Sequence, residues 1–198
     1  KNVEHFLGPD TSHPIPADRV LTITYAVGGA GALKEIGASL LRTFQDRLQN
    51  GSMQLNLVAG TRSEVKSWFD QQKHDIVGPN ARVSVIYGET LDEYFTAFNS
   101  AIRSTDILWT KPSELSFYAG LGLPIIMTPT IGSQEKFNRK WLLEIGAGMR
   151  QEKPEYASEW LFDLIENGRF ADMAWLGFLR GRKLGYHHVL DVLRTGSY

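Results

Sequence analysis

The sequence has no cysteine, so disulfides, thiol catalysis and sulfur-ligated metal are excluded from the start. It has no surplus of either charge: 21 basic and 22 acidic side chains leave a formal net charge of -1, spread along the chain rather than gathered in a stripe. That balance argues against a nucleic-acid reader or a binder of anionic membranes. Apolar runs are short, none approaching the roughly 18 residues of a membrane span, and no signal peptide is visible, so the sequence reads as soluble. Proline is scarce, and three of the eight prolines fall within "FLGPDTSHPIPADR" at 6–19. With Lys1 rather than Met at the start, residues 1–19 read as a linker, and the chain as a piece of something longer.

What is present is ordinary globular composition, 42% hydrophobic and 22% charged over 198 residues, enough to bury a core of its own. Val20 to Ala26 is aliphatic and β-branched without charge, the mark of a strand buried on both faces. Glycines follow, and then Leu33, Ile36, Leu40, Leu41, Phe44 and Leu48 recur at helical spacing up to a stop at Asn50-Gly51. The cycle continues with strands near 53–59, 83–87, 107–109 and 125–127 and helices near 63–72, 91–102, 114–121 and 135–145. Short apolar strands alternating with helices predict an α/β fold, a Rossmann-like doubly wound, mostly parallel sheet over residues 20–150. Residues 151–198 read as a C-terminal helical extension, whose Trp160, Phe170, Trp175 and Phe178 are expected in a core rather than on a substrate platform.

In open parallel sheets ligands bind outside the carboxyl ends of the strands, which directs attention to the junctions at 27–32, 60–63, 87–90, 110–116 and 128–134. The first is "VGGAGAL". Its Gly28, Gly29 and Gly31 let the main chain approach a ligand, and the following helix offers unpaired N–H groups to a diphosphate; a tight turn with no ligand is the alternative. The loop lacks the Lys-Ser/Thr of a P-loop and the full G-x-G-x-x-G spacing, which disfavours ATP and NAD.

The stretch "TDILWTKPSELSFYAGLGLPIIMTPTIGSQEKFNRKWLLEIGAG", residues 105–148, is more specific. It has Asp106 before a strand, then "TKP", "GLP" at Gly122 to Pro124, an apolar strand ending at Pro129, and Gln134-Glu135-x-x-Asn138 followed by Gly146-Ala147-Gly148. With "VGGAGAL", this resembles the donor-binding half of GT-B nucleotide-sugar glycosyltransferases, in particular the peptidoglycan N-acetylglucosaminyltransferase and monogalactosyldiacylglycerol synthase group. The resemblance covers most of residues 20–150.

The resemblance implies one half of a GT-B fold that binds a nucleoside diphosphate sugar, with UDP-sugars the expected donor class. It needs no cofactor beyond that substrate and no metal. Gly28, Gly29, Ala30, Gly31 and Ala32 would face the diphosphate. Tyr87 and Gly88 would hold the base, Ser113, Glu114 and Ser116 would read ribose and phosphate, and Gln134, Glu135 and Asn138 would read the sugar. The acceptor and catalytic base would come from an N-terminal domain in the same chain or a separate subunit, so the fragment alone would not be catalytically complete. The implied setting is cytoplasmic, or peripheral at a membrane through the other half.

Two positions stay open. The family's Glu one turn before "GLP" is replaced by Phe117, and Glu114, three positions earlier, either takes over the ribose or simply complements the positive end of its helix. Arg62 in "AGTRS" either pairs with phosphate or base or is a solvated loop cation. His187-His188 lacks a third ligand and reads as a surface pair, His13 as a linker residue, and Arg180, Arg182 and Lys183 as a solvated turn. The rival function is a non-catalytic nucleotide-binding or protein-interaction module of the same fold, motivated by the altered segment around Glu114.

Overall fold

The computed structural model describes residues 19–27, 31, 33–113, 115–130, 132–181 and 185–196; the linker at 1–18 and Gly28, Gly29, Ala30, Ala32 and Glu114 lie outside them. Six strands form one sheet: β1 (Leu21–Ala26), β2 (Met53–Gly60), β3 (Val83–Tyr87), β4 (Ile107–Thr110), β5 (Ile125–Met127) and β6 (Gly148–Arg150). Their order is β3-β2-β1-β4-β5-β6 and every pairing is parallel. Both directions of winding start from the β1/β4 pair, where Ile23 lies beside Ile107 and Tyr25 beside Trp109. This is the doubly wound Rossmann order, wholly rather than mostly parallel among the described residues.

Alternation along the strands builds two unequal faces. Ile23 and Tyr25 of β1, Leu55 and Leu57 of β2, and Ile107 and Trp109 of β4 point to one side. There they meet α1 (Lys34–Thr43), α2 (Gln45–Gln49) and α3 (Ser63–Ile76). On the other side, Leu108, Ile125 and Met127 pack under α5 (Leu115–Gly120) and α6 (Ser133–Ile145). Toward β1 and β2 that second face is polar, which departs from the strand expected to be apolar on both sides. Asn56 Nδ2 donates to Thr24 Oγ1 at 3.1 Å, the Thr24 and Thr105 hydroxyls are 2.6 Å apart, and Thr105 Oγ1 donates to the Ala101 carbonyl at 2.8 Å. The chain of bonds satisfies buried groups and fastens the end of α4 (Leu91–Arg103) to the sheet.

The single helix expected from Leu33 to Leu48 is broken. Phe44 takes φ -104°, ψ 10° between α1 and α2, so that Phe44 and Leu48 both sink into the core. Phe162 meets the Phe44 ring edge-on at 6.3 Å and lies under the Arg47 guanidinium at 3.8 Å. Leu33 is a turn residue in the left-handed region (φ 72°), the one non-glycine there among the described residues, at a typical cost of about 1–2 kcal/mol. Tyr25, fully buried beneath it, donates its hydroxyl to the Leu33 carbonyl at 2.6 Å and holds the junction that follows the glycine loop.

Burial, and then the nearby Glu35 carboxylate, pushes the Tyr25 phenol well above the ordinary tyrosine range. The unfolded chain releases that proton near pH 10 while the folded chain keeps it. Stability is therefore expected to be constant in this term below about pH 10 and to fall above it, by about 1.4 kcal/mol per pH unit. Urea unfolding from pH 9 to 11 should show Tyr25→Phe to be less stable by about 1–2 kcal/mol at pH 9 and to lack that share of the alkaline decline.

The extension is part of the same core. A 3₁₀ turn (Pro154–Tyr156) leads into α7 (Ala157–Glu166) and α8 (Arg169–Arg180), with α9 (Gly185–Thr195) beyond. Ala157, Leu161, Phe170 and Met173 are buried among the residues of β1, β2 and β4. Trp160 packs on Trp109 at 5.5 Å, and Trp109 Nε1 donates to Gln151 at 2.9 Å. Helix α8 crosses the amino ends of β5 and β6. There a Cβ on Gly177 would stand 2.7 Å from the Ala119 carbonyl oxygen, and one on Gly181 2.9 Å from Gly120 Cα. The extension through Gly181 thus packs on its own domain, α7 over the face that carries Phe44 and Trp109 and α8 against Ala119 and Gly120 ahead of β5.

Candidate functional site

A cleft of about 300 Å³ opens at the carboxyl ends of β1, β2 and β4, at the point where the strand order reverses. Its floor is Ala26 at the end of β1, Val27 after it, and Val58 to Gly60 of β2. On one side stand Thr110 at the end of β4 and Lys111 and Ser113 after it; on the other are Leu91, Tyr94, Phe95 and Phe98 of α4, with Tyr118 of α5 nearby. Among the described residues, Arg62 and Lys111 are the charged side chains that line it, and no described carboxylate does.

The predicted junctions converge here to different degrees. Gly31 has φ +65°, and a Cβ on it would come within 2.8 Å of Val65 Cγ2 and 3.6 Å of Arg62 Cδ, so the first loop closes onto the start of α3 beside the second. Arg62 reaches Glu64 at 3.3 Å; hydrogen bonding to its own main-chain N–H, and then Arg62, holds the exposed Glu64 carboxyl below its usual range. Ser113 lines the cleft, whereas Ser116 is exposed and outside it. Tyr87 and Gly88 are not among the lining residues. The Gly88 N–H donates to the Gly60 carbonyl at 3.2 Å, and Gly88 itself is pressed against the first turn of α4.

In the last frame, Gln134 is exposed and Glu135 faces Lys111, Oε1 to Nζ at 3.8 Å. Asn138 donates its amide to the Pro112 and Ser113 carbonyls at 3.1 and 2.8 Å, tying α6 to the loop that follows β4. The amino end of α6 is capped by Gly132 with no side-chain hydrogen bond. That of α4 is closed by a capping box in which Thr90 and Glu93 bond each other's main chain. So α4 contributes side chains rather than free amides.

Sequence reasoning missed the aromatic wall and gave Lys111 no role. Leu91, Tyr94, Phe95 and Phe98 have the i, i+3, i+4, i+7 spacing of a core-facing stripe, yet Leu91 is 63% and Phe95 52% exposed. Tyr94 and Phe98 are stacked at 5.6 Å, and Phe98 meets Tyr118 edge-on at 6.1 Å.

Residues 70–174, more than half the chain, match the family described as "Domain of unknown function (DUF6938)". The chain belongs to this family. The DUF6938 match runs from within α3 through β6 into α8 and so includes the aromatic wall, Lys111 and the α6 frame. No curated protein matches the chain.

Solved structures place the fold of this DUF6938 protein. MurG of Acinetobacter baumannii is similar over 90% of this chain and 50% of its own, at 20% identity and a TM-score of 0.68. A putative UDP-N-acetylglucosamine 2-epimerase from Listeria monocytogenes is similar over 99% and 48%, at 15% identity and 0.65. The C-terminal CMP-Kdo binding domain of WaaA from A. baumannii is similar over 80% and 88%, at 11% identity and 0.57. The DUF6938 chain spans about half the length of the first two and has the fold of the C-terminal half of GT-B glycosyltransferases and epimerases.

Proposed function

We propose that this chain is the donor-binding domain of a glycosyltransferase that takes a sugar from a nucleoside diphosphate sugar, UDP-sugars being the expected donors. The acceptor would be held by an N-terminal domain in the same chain or a separate subunit. The observation that carries the reading is the charge of the cleft: two cations, no carboxylate among the described lining residues and an aromatic wall, at the switch point of a parallel sheet. A diphosphate brings negative charge, a base brings a flat apolar face, and each finds its complement. Charge that grows on the departing nucleotide would be met by fixed cations and main-chain N–H groups, which favours the transition state over the bound substrate.

In this reading Gly28 to Ala32 hold the diphosphate, and Arg62, Ser113 and Glu114 serve the nucleotide, with Tyr87, Gly88 and Ser116 in support. Gln134 and Glu135 meet the sugar, while Asn138 acts through the Pro112-Ser113 loop that it fastens. We place the protein in the cytoplasm, at a membrane only through the other half. No helix among the described residues is long and apolar enough to cross one.

Isothermal titration of the full chain tests the assignment. UDP and UDP-sugars are expected to bind at least about tenfold more tightly than AMP or NADH, and Gly29→Asp, a carboxylate set against the diphosphate, to remove that advantage. Equal binding of all four ligands would remove the proposal.

A further inference from the structure

The two cations of the cleft are not equivalent. Arg62 has a side chain 44% exposed and a carboxylate at 3.3 Å, so water and Glu64 satisfy it on the rim. Lys111 is only 11% exposed, and among the described residues its ammonium has one contact, Glu135 Oε1 at 3.8 Å, which is beyond hydrogen-bonding range. An ammonium carries three donors and no acceptor, and a carboxylate beyond hydrogen-bonding range leaves those donors available to the cleft that Lys111 lines. The backbone beneath it is fixed: the Ser113 N–H donates to the Lys111 carbonyl at 2.8 Å, and Asn138 bonds the next two carbonyls. A positioned, largely shielded cation that lines the cleft with donors to spare is what an oxygen-rich anion completes.

We infer that Lys111 is the cation that receives the terminal phosphate of a nucleoside diphosphate in this cleft, and that Glu135 is its resting partner, exchanged for the phosphate on binding. The inference rests on the nucleotide-sugar reading above. It differs from the sequence expectation, which set the glycine loop, Ser113, Glu114, Ser116 and Arg62 toward the phosphates, gave Lys111 no part and gave Glu135 only to the sugar. Because Glu135 competes with the phosphate for one ammonium, the two residues act on diphosphate affinity with opposite sign.

Calorimetric titration of the full chain with UDP and with uridine tests this. Lys111→Met is expected to weaken UDP by about 10- to 100-fold and to leave uridine unchanged, with Lys111→Arg restoring part of the loss. Glu135→Gln is expected to tighten UDP by a few-fold, a gain that damage to the fold would not produce. If wild type favours UDP over uridine and Lys111→Met keeps the same ratio, or if Glu135→Gln weakens UDP, the role of Lys111 is overturned while the reading of the cleft stands. If Lys111→Met does not fold, the Glu135→Gln result decides. If wild type does not favour UDP over uridine, the reading of the cleft falls and the inference with it.

Discussion

A chain ended after Gln151 is expected to lose cooperative unfolding, leaving a collapsed polypeptide with helical signal but no fixed aromatic packing. The cut leaves all six strands in place and falls at the boundary that composition marks, where an alternating α/β pattern gives way to helices only. The packing puts the boundary elsewhere. Ala157, Leu161 and Met173 are fully buried and Phe170 nearly so, in the same cluster as Ile23, Leu55 and Trp109. Truncating one buried Leu, Met or Phe side chain to Ala costs about 2–5 kcal/mol, and a domain has only about 5–15 kcal/mol in hand. Removing three of them together, along with Trp160 over Trp109 and Phe162 over Phe44, exceeds that margin. Near-ultraviolet circular dichroism and urea titration report the outcome. A sharp transition at the full-length midpoint would show residues 151–198 to be a separable unit, against this account.

The parts of the fold legible in the sequence were those fixed by local pattern. The strands at 83–87 and 125–127 fall where β-branched and aliphatic runs end at polar residues, and α6 ends at Gly146, in the left-handed region that glycine occupies without strain. The break at Phe44 was illegible because apolar spacing continues straight through it; the ring that packs against Phe44, Phe162, lies 118 residues later. Strand β6 was missed because Gly-Met-Arg is too short to alternate. Gly148 serves there by its lack of a side chain, a Cβ being 2.6 Å from the Ile125 carbonyl oxygen.

The site divides the same way. Its location follows from strand polarity alone, so the junctions could be named in advance. Which residues meet there depends on partners far apart in sequence: Lys111 with Glu135, Asn138 with Ser113. The stripe on α4 could not be told from a core stripe, because spacing reports which side chains share a face and not what covers it.

Gly88→Ala is expected to be among the most damaging single substitutions in the molecule, through sterics rather than through ligand. The added Cβ would stand 2.2 Å from the Tyr94 nitrogen and 2.7 Å from the Glu93 carbonyl carbon, both backbone atoms of the first turn of α4. Neither side can yield easily. That turn is closed by the Thr90–Glu93 capping box, and Gly88 is bonded to Gly60 at the end of β2, where the register with β3 already shifts. Overpacking against backbone costs about 3 kcal/mol or more, which for a domain of this size lowers the melting temperature by about 6–12 °C. Gly132→Ala is the control: its Cβ would meet nothing within 4 Å and its φ is -110°, so its midpoint is expected to fall by no more than about 2–4 °C, the cost of a less favoured N-cap residue on α6. Because α4 carries Tyr94, Phe95 and Phe98 into the cleft, Gly88→Ala should also weaken nucleotide binding, as a consequence of the displaced wall. A variant that kept the wild-type melting temperature and lost only nucleotide affinity would mean that Gly88 serves the base directly, as its motif position implies, and that the tight approach to α4 is not what requires glycine there.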